Sequence, residues 1–293
     1  MTQFRPFYKQ VQAHYDLSND FFALFLDSSM TYSCAYFARP EMSLHEAQLA
    51  KIDLSLGKCD LPRKAESSNA AARMKLLDIG CGWGATARRA VENFNVDVIG
   101  LTLSKEQHAL ITQSVANTAN HIDFRLQGWE EFTEPVDRII SIGAFEHFRA
   151  ERYEAFFTRA FSLLPRGGGM MLHTIVQPDI NELRQRGIVV DHEAVMFAKF
   201  ICKNIFPGGQ LCSPQVITRH AANAGFTLAH SESLRLHYAR TLDMWANNLR
   251  ARREQAITIT NKDTYDMYMH YLTGCAHYFR TGHNDVMQFT MQK

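Results

Sequence analysis

Leu76-Leu77-Asp78-Ile79-Gly80-Cys81-Gly82-Trp83-Gly84 is an apolar run that closes on an aspartate and passes into alternating glycines. A helical pattern starts at Ala85. The order reads as buried strand, tight turn and helix, the opening unit of a nucleotide-binding α/β sheet. Gly80 and Gly82 carry no Cβ, so the backbone can bend sharply there and a ligand can lie against it. Open sheets of this kind bind ligands beyond the carboxyl ends of their strands.

The loop leaves two ligands open. A dinucleotide pyrophosphate takes backbone N–H groups at a helix start, and Ala85 fits the permissive form of that glycine pattern. S-adenosylmethionine is favoured by Asp78, which lies inside the strand where dinucleotide folds usually carry apolar residues. The next expected strand, Val96 to Leu101, lacks the acidic residue that holds the ribose in most methyltransferases using this cofactor. Thr102-Leu103-Ser104 stand there, with Gln107 one turn into the following helix. Ser104 and Gln107 suit a capping box as well as Gln107 suits a ribose contact.

Motifs elsewhere decide between these ligands. They include His14-Tyr15-Asp16-Leu17-Ser18, Thr31-Tyr32-Ser33-Cys34-Ala35-Tyr36-Phe37, Gly128-Trp129-Glu130 and Ser141-Ile142-Gly143-Ala144-Phe145-Glu146-His147-Phe148. Leu172-His173-Thr174-Ile175, His237-Tyr238-Ala239-Arg240 and Tyr271-Leu272-Thr273-Gly274-Cys275 continue the series to the end of the chain. On these motifs the chain resembles the cyclopropane-fatty-acid synthase family, most closely its mycolic-acid methyltransferases and cyclopropane synthases. That family also carries Thr and Gln in place of the acidic ribose ligand. The resemblance implies a class I S-adenosylmethionine-dependent methyltransferase fold over residues 1–293. Its seven-stranded, mostly parallel sheet would have an N-terminal helical cover (1–60) and an inserted acyl-binding lid (177–212).

Periodicity places strands near 75–79, 96–101, 122–127, 137–141, 169–175 and 226–234. Helices are expected near 84–94, 104–117, 151–164, 214–224, 240–256 and 263–279, with more helices within 5–58 around a turn at Thr31 to Phe37. Met287, Phe289 and Met291 alternate onto one face of a final strand. Between 177 and 212, Leu183, Phe197, Phe200, Ile201, Ile205 and Phe206 make an apolar insert. It reads either as a packed helical pair or as a lid over an acyl tunnel, and the resemblance favours the lid. Pro62 to Arg73 reads as an exposed polar loop longer than the family's usual connection.

The chain has 293 residues, 46% of them hydrophobic, and a net charge of +1. That is enough apolar content for a large core and gives no sign of a nucleic-acid partner. No apolar run approaches the ~20 residues that cross a bilayer, and no signal peptide is evident. A cytoplasmic enzyme with a lipid substrate and transient membrane contact is expected. The six cysteines show no metal-ligand spacing, so reduced thiols and no metal are expected.

The resemblance also implies chemistry. The expected substrate is a long unsaturated acyl chain on an acyl carrier protein, with a phospholipid as the other carrier. An alkene has no proton to lose on methylation, so its π electrons take the methyl and leave a carbocation, which closes to a cyclopropane on deprotonation. The site must exclude water, stabilise charge and supply a base. The family's bicarbonate base maps to contacts with Glu146, His173, Tyr238 and Cys275 and with backbone near Cys34, Gly143 and Ile175. Cofactor contacts map to Tyr32, Ser33, Gly80, Gly82, Thr102, Leu103, Gln107, Gly128, Trp129, Glu130 and Ile142. Taken alone, Glu146 reads as a helix-start carboxylate, His173 as a core histidine, Tyr238 and Trp129 as packing and Cys275 as a buried thiol. Hydroxylating relatives carry Glu at the position of Gly143, so the glycine favours ring closure. The alternatives are a hydroxylated or methyl-branched mycolate, a small-molecule methyltransferase, and a scaffold that binds cofactor without activity.

Overall fold

The computed structural model describes residues 4–6, 18–64, 72–115 and 121–293. Strands β1 (Met74–Ile79), β2 (Val96–Thr102), β3 (Ile122–Leu126), β4 (Arg138–Ile142) and β5 (Gly169–Val176) run parallel. With β6 (Thr227–Ser233) and β7 (Asp285–Gln292) they form a seven-stranded sheet in the order 3-2-1-4-5-7-6. β7 is antiparallel to both of its neighbours. This is the class I methyltransferase arrangement. The strand order reverses between β1 and β4, and the crevice outside their carboxyl ends is where such sheets take ligands.

Successive strand residues face opposite sides. Leu77, Ile99, Ile139 and Leu172 pack with Phe156, Phe157 and Ile217 on one face. Leu76, Val98, Ile140 and Met171 pack with Ile52, Leu56, Ala87 and Phe94 on the other. The helices are α1 (Asn19–Ala23), α2 (Leu44–Gly57), α3 (Ala85–Asn93), α4 (Lys105–Val115) and α5 (Tyr153–Leu163), followed by α6 (Ile180–Gln185), α7 (His192–Phe200) and α8 (Pro214–Ala224). α9 (Arg235–Ala251), α10 (Arg253–Ile259) and α11 (Lys262–Thr281) complete the set. α2 begins with a full capping box between Ser43 and Glu46, and α8 begins with Pro214 in its first turn.

A third cluster lies above the carboxyl ends of the strands. Phe21, Phe22 and Phe25 interlock with Trp245 of α9 and Tyr268 of α11. The expected helix at 240–256 is corrected here. α9 starts earlier and ends at Ala251, and Arg252 leaves helical geometry at φ −113° and ψ 28°. Its guanidinium donates to the Leu24 carbonyl at 2.9 Å, a tertiary contact that periodicity cannot register. The polar loop expected before β1 is tethered at both flanks. Arg63 bridges Phe94, and Arg73 donates to Asp97 at 2.7 Å. Its centre, 65–71, lies outside the described residues, as does the His14-Tyr15-Asp16-Leu17 motif.

Residues 177–212 form α6, α7 and a π-helical turn, Ile201–Ile205. Phe197 anchors α7 on α11, with its ring 4.8 Å from that of Tyr278 and 5.4 Å from that of His270. Gly274 makes the contact possible, since a Cβ there would come within 2.2 Å of the Phe197 ring. Gly274→Val should displace Phe197 and destabilise the fold by about 1–3 kcal/mol, the scale of an overpacked core. In urea unfolding, most of that loss should vanish on a Phe197→Ala background, giving a measurable coupling energy. Strict additivity would show that the helices do not meet at this pair.

Candidate active site

The turn after β1 is left-handed at Gly80 (φ 83°) and Gly82 (φ 55°). A Cβ on Gly80 would lie 2.5 Å from Ala144 Cβ, so this glycine lets the loops after β1 and β4 touch. A Cβ on Gly82 would meet nothing within 4 Å. Gly82 therefore borders open space at the strand switch, which fits a ligand lying against bare backbone. Asp78 is buried just below, and burial raises its carboxyl to about 7.

Thr102 and Gln107 form a local unit rather than a full capping box. Ser104 Oγ accepts the Gln107 N–H at 3.2 Å, but Gln107 Oε1 accepts from Thr102 Oγ1 at 2.9 Å. The Ser104 N–H goes to Thr102 Oγ1. Gly128 lies against Pro6. Glu130 forms a buried ion pair with Arg152 at 2.6 Å, and Arg152 also donates to the Arg5 carbonyl. Trp129 is buried edge-on against Phe156 at 5.3 Å.

Residues 31–37 have no regular structure, yet side chains from two helices hold them. Gln48 of α2 donates to the carbonyls of Thr31 and Ser33, at 3.2 and 2.8 Å. One turn on, the buried Lys51 donates to Ser33 Oγ at 2.8 Å. From the other side, Thr241 Oγ1 and His237 Nδ1 of α9 accept the N–H groups of Ala35 and Phe37. Tyr32 meets Tyr271 of α11 through their hydroxyls at 3.2 Å. The Cys34 thiol donates to the Ala35 carbonyl at 3.1 Å.

A cavity of about 950 Å³ opens beside this segment. Glu146, His173, Tyr238, Cys275, Cys34, Tyr32 and Ser33 all line it, although most are far apart in sequence. Phe197, Ile201 and Phe206 of the insert line it as well. The remaining expected cofactor residues, namely Gly80, Gly82, Thr102, Leu103, Gln107, Gly128, Trp129, Glu130 and Ile142, lie outside this lining, in or just beyond β1–β4. Tyr32, Ser33 and Gly143 are where the cavity approaches them.

Burial dominates the electrostatics of the cluster. It raises Glu146 to about 7, against which the Ile175 N–H, 2.7 Å from Oε1, acts weakly. Burial also pushes the Tyr238 hydroxyl and the Cys275 and Cys34 thiols well up, and pulls the His173 imidazole well down. Every member is thereby biased towards its neutral form. Two buried atoms, Glu146 Oε2 and His173 Nε2, have no hydrogen-bond partner among the described residues. A neutral carboxyl, imidazole, phenol and thiol around one space offer proton donors, and such a set suits a small anion. Tyr271, Gln48 and Lys51 are contacts that reading the sequence missed. Tyr271 lies four residues before Cys275, on the same helical face, and that spacing was the available signal.

The chain matches the family described as mycolic acid cyclopropane synthetase over residues 2–289. It is 53% identical to cyclopropane mycolic acid synthase 3 of Mycobacterium tuberculosis, covering 100% of this chain and 99% of that protein. The fold is similar to that of the cyclopropane synthase MmaA2 from the same organism, with TM-score 0.94, 49% identity and coverage of 98% and 99%. It is also similar to mycolic acid cyclopropane synthase CmaA1 complexed with SAH and CTAB, with TM-score 0.93, 52% identity and 99% of both chains covered.

The raised pKa of Glu146 has a thermodynamic signature. A group whose pKa is higher in the folded state stabilises the fold fully below its unfolded pKa, and that contribution is lost as pH rises through the folded pKa. For Glu146 the window runs from 4.5 to about 7. Relative to Glu146→Gln, the wild type should lose about 3 kcal/mol of stability across that window. Urea unfolding of both proteins over the pH range measures the difference, and groups common to both cancel. Parallel curves would mean that Glu146 is not held neutral.

Proposed function

The chain belongs to the mycolic acid cyclopropane synthetase family, and on that premise we propose that it methylates a cis double bond of a long mycolic or meromycolic acyl chain and closes a cyclopropane. The observation that carries this reading is the neutral donor cluster of Glu146, His173, Tyr238 and Cys275 on a large cavity walled by the apolar insert. CTAB, seen in the related CmaA1 structure, carries a long alkyl chain on a cationic head, which supports an extended apolar chain in this cavity. SAH in the same structure supports an S-adenosyl cofactor at the Gly80–Gly82 turn. A small polar acceptor would have no use for walls of Phe197, Ile201 and Phe206.

When bound, S-adenosylmethionine supplies an electrophilic methyl on a sulfonium, and bicarbonate supplies the base. The chain's own residues do the rest. Glycine at 80 and 82 leaves room for the cofactor, and Tyr32 and Ser33 meet it at the cavity mouth. Thr102 and Gln107 would take the ribose, Trp129 would flank the adenine, and Leu103, Gly128, Glu130 and Ile142 would complete the cofactor contacts. Glu146, His173, Tyr238, Cys275 and backbone at Cys34 hold the anion where the proton leaves the substrate. The insert at 177–212 excludes water that would trap the carbocation as an alcohol. Of the expected cover over 1–60, residues 18–60 are described and lie at the cofactor end, and the acyl chain arrives on an acyl carrier protein in the cytoplasm.

Ring closure rather than hydroxylation follows from Gly143, which places no second carboxylate beside the cation. The residue is left-handed at φ 67°, and a Cβ there would lie 3.6 Å from that of Ser33. Lipids from a host lacking the gene should lose cyclopropane ring-proton NMR signals, and the wild-type gene should restore them without a secondary alcohol. Glu146→Gln should cut turnover ~10²-fold or more, the scale of a lost acid–base group, with cofactor binding retained in calorimetry. A mainly hydroxylated wild-type product would overturn the ring-closure reading. Full activity in Glu146→Gln would overturn the role of Glu146.

A further inference from the structure

Gln288 is fully buried on β7, on the face opposite Phe289 and Met291. It lies directly across from His173 on β5 and from Glu232 on β6. Cross-strand partners share a face, so the three side chains stand in a row across three strands. The oxygen and nitrogen of an amide look alike, so its orientation has to be deduced from what its neighbours can donate or accept.

The neighbours here allow one answer. Lys58 Nζ sits 2.5 Å from one end of the amide, and an ammonium can only donate, so that end is Oε1. Glu232 accepts from the same ammonium and holds it in place. Nε2 then faces Ser55 Oγ at 3.0 Å and His173 Nδ1 at 3.2 Å. The Ser55 hydroxyl proton is committed to the Lys51 carbonyl at 2.8 Å, so Ser55 accepts from Nε2. His173 Nδ1 must also accept, which leaves it without a proton. In a neutral imidazole the proton is then on Nε2. That atom is buried, without a partner among the described residues, on a ring that lines the cavity.

We propose that Gln288 is a positioning residue that fixes His173 as the tautomer with its N–H on Nε2, aimed into the cavity, and that the Lys58–Glu232 pair locks the amide that does so. The charged and titratable groups around the ring are Lys51 of α2, Lys58 after it, Glu232 of β6 and, on the shared cavity, Glu146, Cys34, Tyr238 and Cys275. Burial, with Lys51 and Lys58 adding to it, disfavours the imidazolium, so the ring stays neutral and the choice between its nitrogens matters. The functional weight of this inference rests on His173 being one of the groups that hold the base. The tautomer itself does not depend on that reading.

The test is NMR of the full-length protein carrying nitrogen-15 histidine, without substrate, with the His173 signals assigned by their loss in His173→Asn. The wild type should show protonated Nε2 and unprotonated Nδ1 across neutral pH. Gln288→Glu replaces the donor with an acceptor that Lys58 still holds, so the proton should move to Nδ1. Turnover should fall at least ~10-fold, as when the orienting partner of a ligand histidine is lost, while cofactor affinity holds and the pH profile of turnover shifts upward. Lys58→Met, which frees the amide to flip, should give a mixture of tautomers and serves if the first variant does not fold. A wild-type Nδ1–H ring, or a tautomer indifferent to both substitutions, would overturn the inference. The spectra need no turnover, so a protein that makes no cyclopropane would leave the tautomer result standing, and a wrong tautomer would leave the reaction class standing.

Discussion

A charge held in the dry end of this sheet costs several kcal/mol unless it is paired, and the site is organised around that cost. Glu146, Tyr238, Cys275 and His173 all move towards their neutral forms for the same reason. For the proposed reaction this has a second benefit. A carbocation reacts with any thiolate or carboxylate in reach, and it is the thiolate rather than the thiol that is nucleophilic. Thiols at Cys34 and Cys275 that resist ionisation can line the path of such a cation without capturing it. Lys51 is the buried cation of the region, lowered to about 8 by burial and partly offset by Cys34, Asp27 and Asp78.

The strands and most helices were legible because each is an apolar stretch with the right period between turn residues. β1 and β2 are near-continuous apolar runs, as expected of strands covered on both faces. Residues 31–37 were legible as a break between helices, but not in their conformation. Their conformation is set by Gln48, Lys51, Thr241 and His237, and nothing local encodes it. The break at Arg252 was missed likewise, because a contact to Leu24 fixes it.

The candidate site was legible only through resemblance. Glu146, His173, Tyr238 and Cys275 sit on a 3-10 helical turn, a strand and two helices, and no spacing along the chain announces that they meet. Sheet register brings Ile142 beside His173, and Glu146 reaches over to the Ile175 N–H. The alternation of Met287, Phe289 and Met291 correctly marked one face of β7 as core. It says nothing of the other face, where Gln288 is wholly enclosed.

α2 joins these parts in a way that limits how the chain can change length. Gln48, Lys51 and Ser55 are buried on one stripe of the helix, and Lys58 caps it. The first two serve the 31–33 segment, and the last two serve Gln288. A residue inserted between Lys51 and Ser55 would rotate one half of the stripe by ~100° and move it ~1.5 Å, since a helix has 3.6 residues per turn. Either the 31–33 segment or the histidine end would then lose its anchor, though the helix itself would form as well as before. Even an insertion of two whole turns, which restores the rotation, would carry the two ends ~10 Å further apart. The helix therefore acts as a fixed-length gauge between two halves of one site, and loops elsewhere are the place for length variation.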